Sequence, residues 1–269
     1  MAGKRGLVMG VANDHSIAWG IASKLHAAGA ELAFTYQGEA FGKRVKPLAE
    51  SISVQYMLPC DVEDEASLAA TFAALREAWG GLDFLVHAIA FSDKEELKGR
   101  YLDTSRNNFR HTLLISCYSF TQIARLAQPL MRPGGSLLTL SYLGAERVTP
   151  NYNVMGVAKA ALECSVRYLA TDLGDAGVRV NCISAGPVRT LAGSAIADAR
   201  FTFGWSRDQA PLRRPVNLEE VGQAGLYLLS DLSSGVTGEV HHVDCGYHVI
   251  GIPSPRRLTT TEVTKAKGS

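Results

Sequence analysis

The sequence carries almost no net charge. In 269 residues, 27 Lys and Arg stand against 26 Asp and Glu, a balance of +1. That leaves no electrostatic footprint for nucleic acid. Long apolar runs are also missing: none approaches the roughly 20 residues that a membrane-spanning helix needs. Lys4 and Arg5 lead straight into Leu7-Val8-Met9 with no signal-peptide core, so a cytoplasmic protein that engages no membrane is expected. Cysteine is scarce and odd in number: Cys60, Cys117, Cys164, Cys182 and Cys245, with no CxxC pair. Each lies in or beside an apolar stretch, which predicts buried free thiols in a reducing compartment. There is no internal repeat, and no GxSxG to support a hydrolase. His241, His242, Asp244, Cys245 and His248 are close in sequence, but their spacing matches no common zinc pattern and no metal is expected. In a strand, His241 and His242 point to opposite faces.

What is present is a globular composition, 46% hydrophobic and 20% charged. Strand-like runs at 5–9, 31–36, 53–58, 82–89, 135–141, 178–184 and 239–243 alternate with helical patterns at 16–28, 65–79, 104–131, 151–173 and 218–230. Most strand candidates are continuously apolar, as in Phe84-Leu85-Val86, which suits parallel strands buried on both faces. The fold class is therefore α/β: a single doubly wound, Rossmann-type domain over 1–252, with about seven parallel strands and helices on both faces. Residues 188–216 are too long for a simple connection and read as a lid. Residues 253–269 are polar, with four basic residues and one Glu, and read as a mobile tail.

The first strand ends at Gly10, and Ser16 opens the first helix, with Gly20 one turn inside it. A strand, a flexible turn and a helix N-terminus offer unpaired N–H groups to a pyrophosphate. Here Gly10 permits the turn, Ser16 caps the helix or meets a phosphate, and Gly20 allows close approach to the strand or cofactor. No GxGxxG is present, so the turn alone is a weak motif, and packing glycines with a capping serine explain it equally well. The second strand ends in neutral Gln37, where an acidic residue usually meets the adenosine ribose, so the choice between NADH and NADPH stays open. Asp61, after the third strand, sits where it serves either an adenine amino group or a helix cap. The fourth strand ends His87-Ala88-Ile89-Ala90-Phe91, where the small residues Ala88 and Ala90 leave room for a cofactor overhead.

The fifth strand delivers Tyr142, with Tyr152 ten residues on and Lys159 seven beyond that. On a helix seven residues turn about 700°, so Tyr152 and Lys159 share one face, and Lys159 leans back toward Tyr152. A phenol with a pKa near 10 is drawn toward phenolate by a neighbouring ammonium. It can hydrogen-bond to, or protonate, an oxygen that gains negative charge.

Ser141-Tyr142-Leu143-Gly144-Ala145-Glu146-Arg147 and Pro150-Asn151-Tyr152-Asn153-Val154-Met155-Gly156 resemble the bacterial NADH-dependent enoyl-acyl carrier protein reductases, divergent members of the short-chain dehydrogenase/reductase superfamily. The likeness runs from about residue 3 to about 250 and includes Phe34-Thr35-Tyr36-Gln37, Cys60-Asp61-Val62 and Ser184-Ala185-Gly186-Pro187-Val188-Arg189-Thr190. Its specific part is the Tyr–Lys separation of seven; the wider superfamily generally uses four and a Ser in the region that Tyr142 holds. The resemblance implies hydride transfer from NADH to the β-carbon of a trans-2-enoyl thioester, the last step of fatty-acid elongation. It implies that Tyr152 stabilises the enolate oxygen, that Tyr142 shapes the site and that Lys159 holds the nicotinamide ribose. It assigns cofactor contacts to Gly10, Ser16, Ile17, Gln37, Asp61, Val62, Ile89, Val188, Arg189, Thr190, Leu191 and Ala192. Substrate contacts fall to Ser92, Tyr142 and Tyr152, with Phe201, Phe203 and Trp205 as apolar wall in the lid. Acyl carrier protein is the implied partner and a homotetramer the implied assembly. Two positions depart from the family's pattern: a Gly is common where Ala90 stands, and a small residue, often Gly, where Cys245 stands. A ketone reductase of the same superfamily and a non-catalytic nucleotide sensor remain the alternatives.

Overall fold

The continuous apolar runs become seven strands, because a segment that is apolar on both sides is stable only when both faces are covered. They are Arg5–Met9 (β1), Glu31–Tyr36 (β2), Tyr56–Pro59 (β3), Leu82–His87 (β4), Met131–Ser141 (β5), Arg179–Ala185 (β6) and Val240–Val243 (β7). In this computed structural model residues 1–188, 190 and 199–252 are described. Arg189, Leu191, Ala192 and the 253–269 tail lie outside them.

All six strand pairings are parallel, in the order β3-β2-β1-β4-β5-β6-β7. The chain reverses its direction of growth between β1 and β4, and this opens a crevice at the carboxyl edge of the sheet.

Two apolar layers cover the sheet. On one face Leu68 and Phe72 of α3 (Glu65–Trp79), Phe120 and Ile123 of α5 (Ser119–Ala127), and Leu162 and Val166 of α6 (Asn153–Gly174) pack on the strands. On the other lie Ile21 and Leu25 of α1 (Ile17–Ala27), Val45 of α2 (Gly38–Ser51), and Val221 and Leu228 of α8 (Leu218–Leu229). Gly20 faces α8 rather than a strand or a cofactor: a Cβ there would lie 2.7 Å from Leu218.

Three features depart from the sequence reading. Helix α2 lies where no helix is expected; it buries Val45 and Ala49, with Leu48 packed beside them, and Gly38, Gly42 and Pro47 interrupt its helical pattern. The helix expected over 104–131 is broken into α4 (Arg106–Leu113), a π-helical turn (Leu114–Tyr118) and α5. Within 188–216 the chain forms a further helix, α7 (Ala199–Gln209).

Cys60, Cys117 and Cys182 are buried thiols and Cys245 is half-buried, but Cys164 is exposed on α6. Its apolar neighbours belong to the opposite side of that helix.

Candidate active site

The crevice widens into a cleft of about 1330 Å³ that runs from the β1–α1 turn to the start of α6. At its nucleotide end Gly10 stands at φ +98°, and a Cβ there would lie 2.1 Å from the Ala88 carbonyl oxygen. Only a residue without a side chain lets the backbone turn so close to β4. Ser16 occupies the N-cap position of α1 without capping it. Its hydroxyl instead donates to the Asn13 carbonyl at 2.6 Å and accepts from Ala12 N–H at 3.4 Å, which stitches the turn together. Backbone N–H groups at the α1 terminus are thereby left toward the cleft.

Ile17, Gln37, Val62, Ile89, Val188 and Thr190 also line the cleft. Asp61 does not. Its carboxylate accepts from Gln37 Nε2 at 3.0 Å and from Glu63 N–H at 3.0 Å, so it braces the tip of β2 from behind. Its neighbours Cys60 and Val62 both line the cleft, so the carboxylate stands at the edge of the nucleotide end. Capping of α3 falls to Asp64, whose Oδ1 accepts from Ala66 N–H at 2.9 Å.

At the other end Tyr142, Tyr152 and Lys159 converge. Tyr142 follows the last residue of β5, and Tyr152 occupies the N-cap position of α6. The Tyr142 and Tyr152 rings meet edge to face, with centroids 5.0 Å apart. Tyr152 is flanked by two residues in the left-handed region, Asn151 at φ +58° and Asn153 at φ +40°. Asparagine tolerates that region better than most residues. Asn153 uses its side-chain amide to donate to the carbonyls of Leu97 at 3.0 Å and Gly99 at 3.2 Å. Gly144 admits the Tyr152 ring, since a Cβ there would lie 2.3 Å from it.

Burial governs the electrostatics here. The Tyr152 hydroxyl is pushed well above the usual phenol range, chiefly by desolvation and further by Tyr142 and Glu163. The drift toward phenolate expected from its Lys neighbour does not occur: desolvation is the largest influence on Tyr152, and Lys159 is not among the groups that shift it. Tyr142 is raised to about 12 by burial, against a hydrogen bond with Thr149. Lys159 is lowered to about 8, again by burial. Its ammonium donates to the Leu140 carbonyl at 2.7 Å.

Beneath the cleft, burial depresses His87 to about 3, so it is neutral. The Ser119 hydroxyl donates to the Ile115 carbonyl at 2.6 Å and lies 2.8 Å from His87 Nε2. Thr139 serves Nδ1 at 3.0 Å. The π-helical turn sets Ser116 against Phe91, whose N–H and carbonyl it engages at 2.9 Å each. This fixes the end of β4 where Ala90, Phe91 and Ser92 face the cleft. The Ser92 hydroxyl is held by Thr112 at 2.8 Å and Asn108 at 3.3 Å.

Of the three aromatic residues expected to form the lid wall, only Phe203 faces the cleft. Phe201 and Trp205 stack on each other with centroids 5.9 Å apart and are solvent-exposed. Leu97, Asn108, His111 and Met155 line the cleft without having been singled out in the sequence. Met155, one helical turn from Tyr152, had a periodicity signal; the other three had none. Among the described residues no cluster of His, Cys, Asp and Glu is arranged to hold a metal ion. His242 instead stacks on His248 at 4.1 Å and pairs with Glu146 at 2.7 Å.

The family model described as enoyl-(acyl carrier protein) reductase matches residues 10–248. An enoyl-[acyl-carrier-protein] reductase [NADH] of Rhizobium meliloti is 63% identical over 97% of this chain and 98% of its own length. The corresponding protein of Rickettsia typhi is 55% identical over 93% and 96%. Among solved structures, the reductase of Anaplasma phagocytophilum in complex with NAD superposes with a TM-score of 0.92 at 62% identity, covering 95% of this chain and 97% of that one. The Bacillus cereus enzyme, solved with NADP+ and an indole naphthyridinone, gives 0.91 at 50% identity, covering 93% and 98%. The chain belongs to the enoyl-acyl carrier protein reductase family.

Proposed function

We propose that this protein reduces trans-2-enoyl thioesters carried on acyl carrier protein to saturated acyl thioesters, with NADH as reductant, in the last step of fatty-acid elongation. The observation that carries the proposal is one cleft with two ends: a glycine turn whose backbone faces it, and a desolvated Tyr152 beside Tyr142 and Lys159. The cofactor fits the residues present. The space beside Gly10 is one that a Cβ would fill, and the α1 N-terminus suits a pyrophosphate. Gly10, Ser16, Ile17, Gln37, Val62, Ile89, Val188 and Thr190 would hold it, with Asp61 behind Gln37. The neutral Gln37 also leaves NADPH admissible.

When bound, the dihydronicotinamide supplies the hydride. The chain's own residues manage charge. Tyr152, neutral at any physiological pH, donates a hydrogen bond to the thioester oxygen as that oxygen gains charge. A donor fixed in a water-excluded site stabilises such an oxyanion more than water does. Tyr142 holds the Tyr152 ring edge-on and closes the site around the enoyl group, with Ser92 at its border. Lys159 is an ammonium below about pH 8. One of its protons is fixed on Leu140, and the remaining protons serve the cofactor's ribose hydroxyls.

Residues 188–216 act as the lid of a domain spanning 1–252, and Arg189, Leu191 and Ala192 continue the cofactor contacts. A homotetramer and a cytoplasmic location complete the reading. No helix among the described residues is long and apolar enough to cross a membrane. The decisive experiment follows NADH and NADPH oxidation with a trans-2-enoyl thioester. Turnover that collapses in Tyr152→Phe is expected; binding of NADH with no turnover of any enoyl thioester would overturn the proposal.

A further inference from the structure

Helix α6 presents a third polar group on the face it turns to the sheet. Tyr152, Lys159 and Glu163 are spaced by seven and four residues, so at about 100° per residue they fall in one narrow stripe. Glu163 is buried, which is rare for a carboxylate. It accepts a hydrogen bond from the Ser141 hydroxyl, also buried. Ser141 ends β5 and directly precedes Tyr142. One residue earlier, the Leu140 carbonyl accepts from Lys159 Nζ at 2.7 Å. Two consecutive residues of β5 are thus gripped by two residues of α6 one turn apart. A single contact would let the strand end pivot; two fix both its place and its direction, and with them the edge-to-face approach of Tyr142 to Tyr152.

The charges around this stripe come from several elements. Lys159 faces Glu163 on its own helix, Cys182 on β6, Cys117 in the π-helical turn and His87 on β4. Burial raises both thiols, and His87 is neutral, so none of these three bears charge near neutral pH. Glu163 faces Arg167 on the next turn, Glu146 beyond Tyr142, and His242 on β7. Burial raises Glu163 itself; among the described residues it is the carboxylate whose field raises Lys159, the smallest of the influences on that ammonium.

We propose that Glu163 is a positioning residue of the reductase site: through Ser141 it fixes the strand end that presents Tyr142, and its negative charge is the counter-charge of Lys159. The proposal rests on Lys159 holding the cofactor. The test uses the full-length protein, measuring kcat and the NADH dissociation constant across pH. Glu163→Gln keeps an acceptor for Ser141 and removes the charge. The alkaline midpoint for loss of NADH affinity is expected to fall by about one pH unit. Glu163→Asp restores the charge and returns the midpoint toward wild type. Ser141→Ala keeps the charge and breaks the grip; kcat is expected to fall about tenfold with the NADH midpoint unmoved. Lys159→Met is the reference. If it binds NADH as the wild type does, the role of Lys159 fails and the proposal with it. If it loses affinity while Glu163→Gln titrates like wild type and Ser141→Ala keeps its kcat, the proposal alone is overturned. Should Glu163→Gln fail to fold, the milder Ser141→Ala decides the grip by itself: the tenfold loss supports it, and a wild-type kcat overturns it.

Discussion

The two ends of the cleft are built by different means. The nucleotide end turns on backbone, a glycine at φ +98°, braced by the Ser16 hydroxyl and by the Gln37–Asp61 side-chain bond at 3.0 Å. The chemical end is made of side chains taken out of water. Tyr142 is raised to about 12, Lys159 lowered to about 8 and Tyr152 raised beyond the usual phenol range, each chiefly by burial. A pyrophosphate asks for N–H groups, which any sequence supplies once the turn is allowed. Proton affinity at a reacting oxygen can be set only by particular groups in a particular dielectric. The first end is therefore sensitive to added volume and the second to changed chemistry.

That contrast can be broken most directly at Tyr152. Tyr152→Phe is expected to lower kcat by about 10²–10⁴-fold while the NADH dissociation constant changes little. Steady-state kinetics beside a fluorescence titration would show it, and an equal loss in both would merge the two ends into one. Gly10→Ala should do the reverse. Its Cβ would lie 2.1 Å from the Ala88 carbonyl oxygen. Weakened NADH binding and a stability loss of about 2–3 kcal/mol are expected in denaturant titration.

Sensitivity to pH separates activity from stability. Activity and NADH affinity should fall as pH rises through about 8 and Lys159 loses its proton. Over the same range stability should rise. The folded value, about 8, lies below the ordinary 10.5, so the unfolded chain binds more protons between them. Above about pH 9 this gain is opposed by Cys117 and Cys182, whose thiols burial raises, so the net rise is confined to about pH 8–9. His87 has the same sign at acid pH. Its folded value of about 3 lies below 6.5, so its contribution is complete above about 6.5 and is lost as pH falls toward 3. Urea unfolding at stepped pH would register both, and His87→Gln should flatten the acid limb.

The smallest effect belongs to neither end. Cys245 sits at φ +58°, and its carbonyl accepts from Leu212 N–H at 3.3 Å. Cys245→Gly should raise the melting temperature by about 2 °C through relief of backbone strain, with kinetics untouched.

Much of this molecule was legible in its residues, and the exceptions share causes. The parallel sheet followed from continuous apolar runs, because two-sided burial leaves no alternation to misread. The Tyr152–Lys159 face followed from helical period alone. Helix α2 escaped because Gly38, Gly42 and Pro47 read as turn residues and mask the helical spacing of Phe41, Val45, Leu48 and Ala49. The π-helical turn escaped because one inserted residue changes which group meets Phe91 without changing composition. The protonation of Tyr152 was misjudged for a deeper reason: sequence shows that a lysine is near, but not how much water has left. The bond between Asp61 and Gln37 escaped because the two residues lie 24 apart in sequence and meet only at the sheet edge. Cys245, where a glycine was expected, stands in the backbone region that glycine favours.

Lys159 has three protons to give, and the fold has already directed one of them. Its recipient is the carbonyl of Leu140, a group that every amino acid carries. The contact therefore does not depend on which side chain stands at position 140. The lysine is not replaceable in the same way. A guanidinium is planar and wider, and cannot send one proton to a strand while turning the others to a ligand in a tetrahedral fan. Replacement by arginine, conservative in charge, would be among the least tolerated changes in the protein.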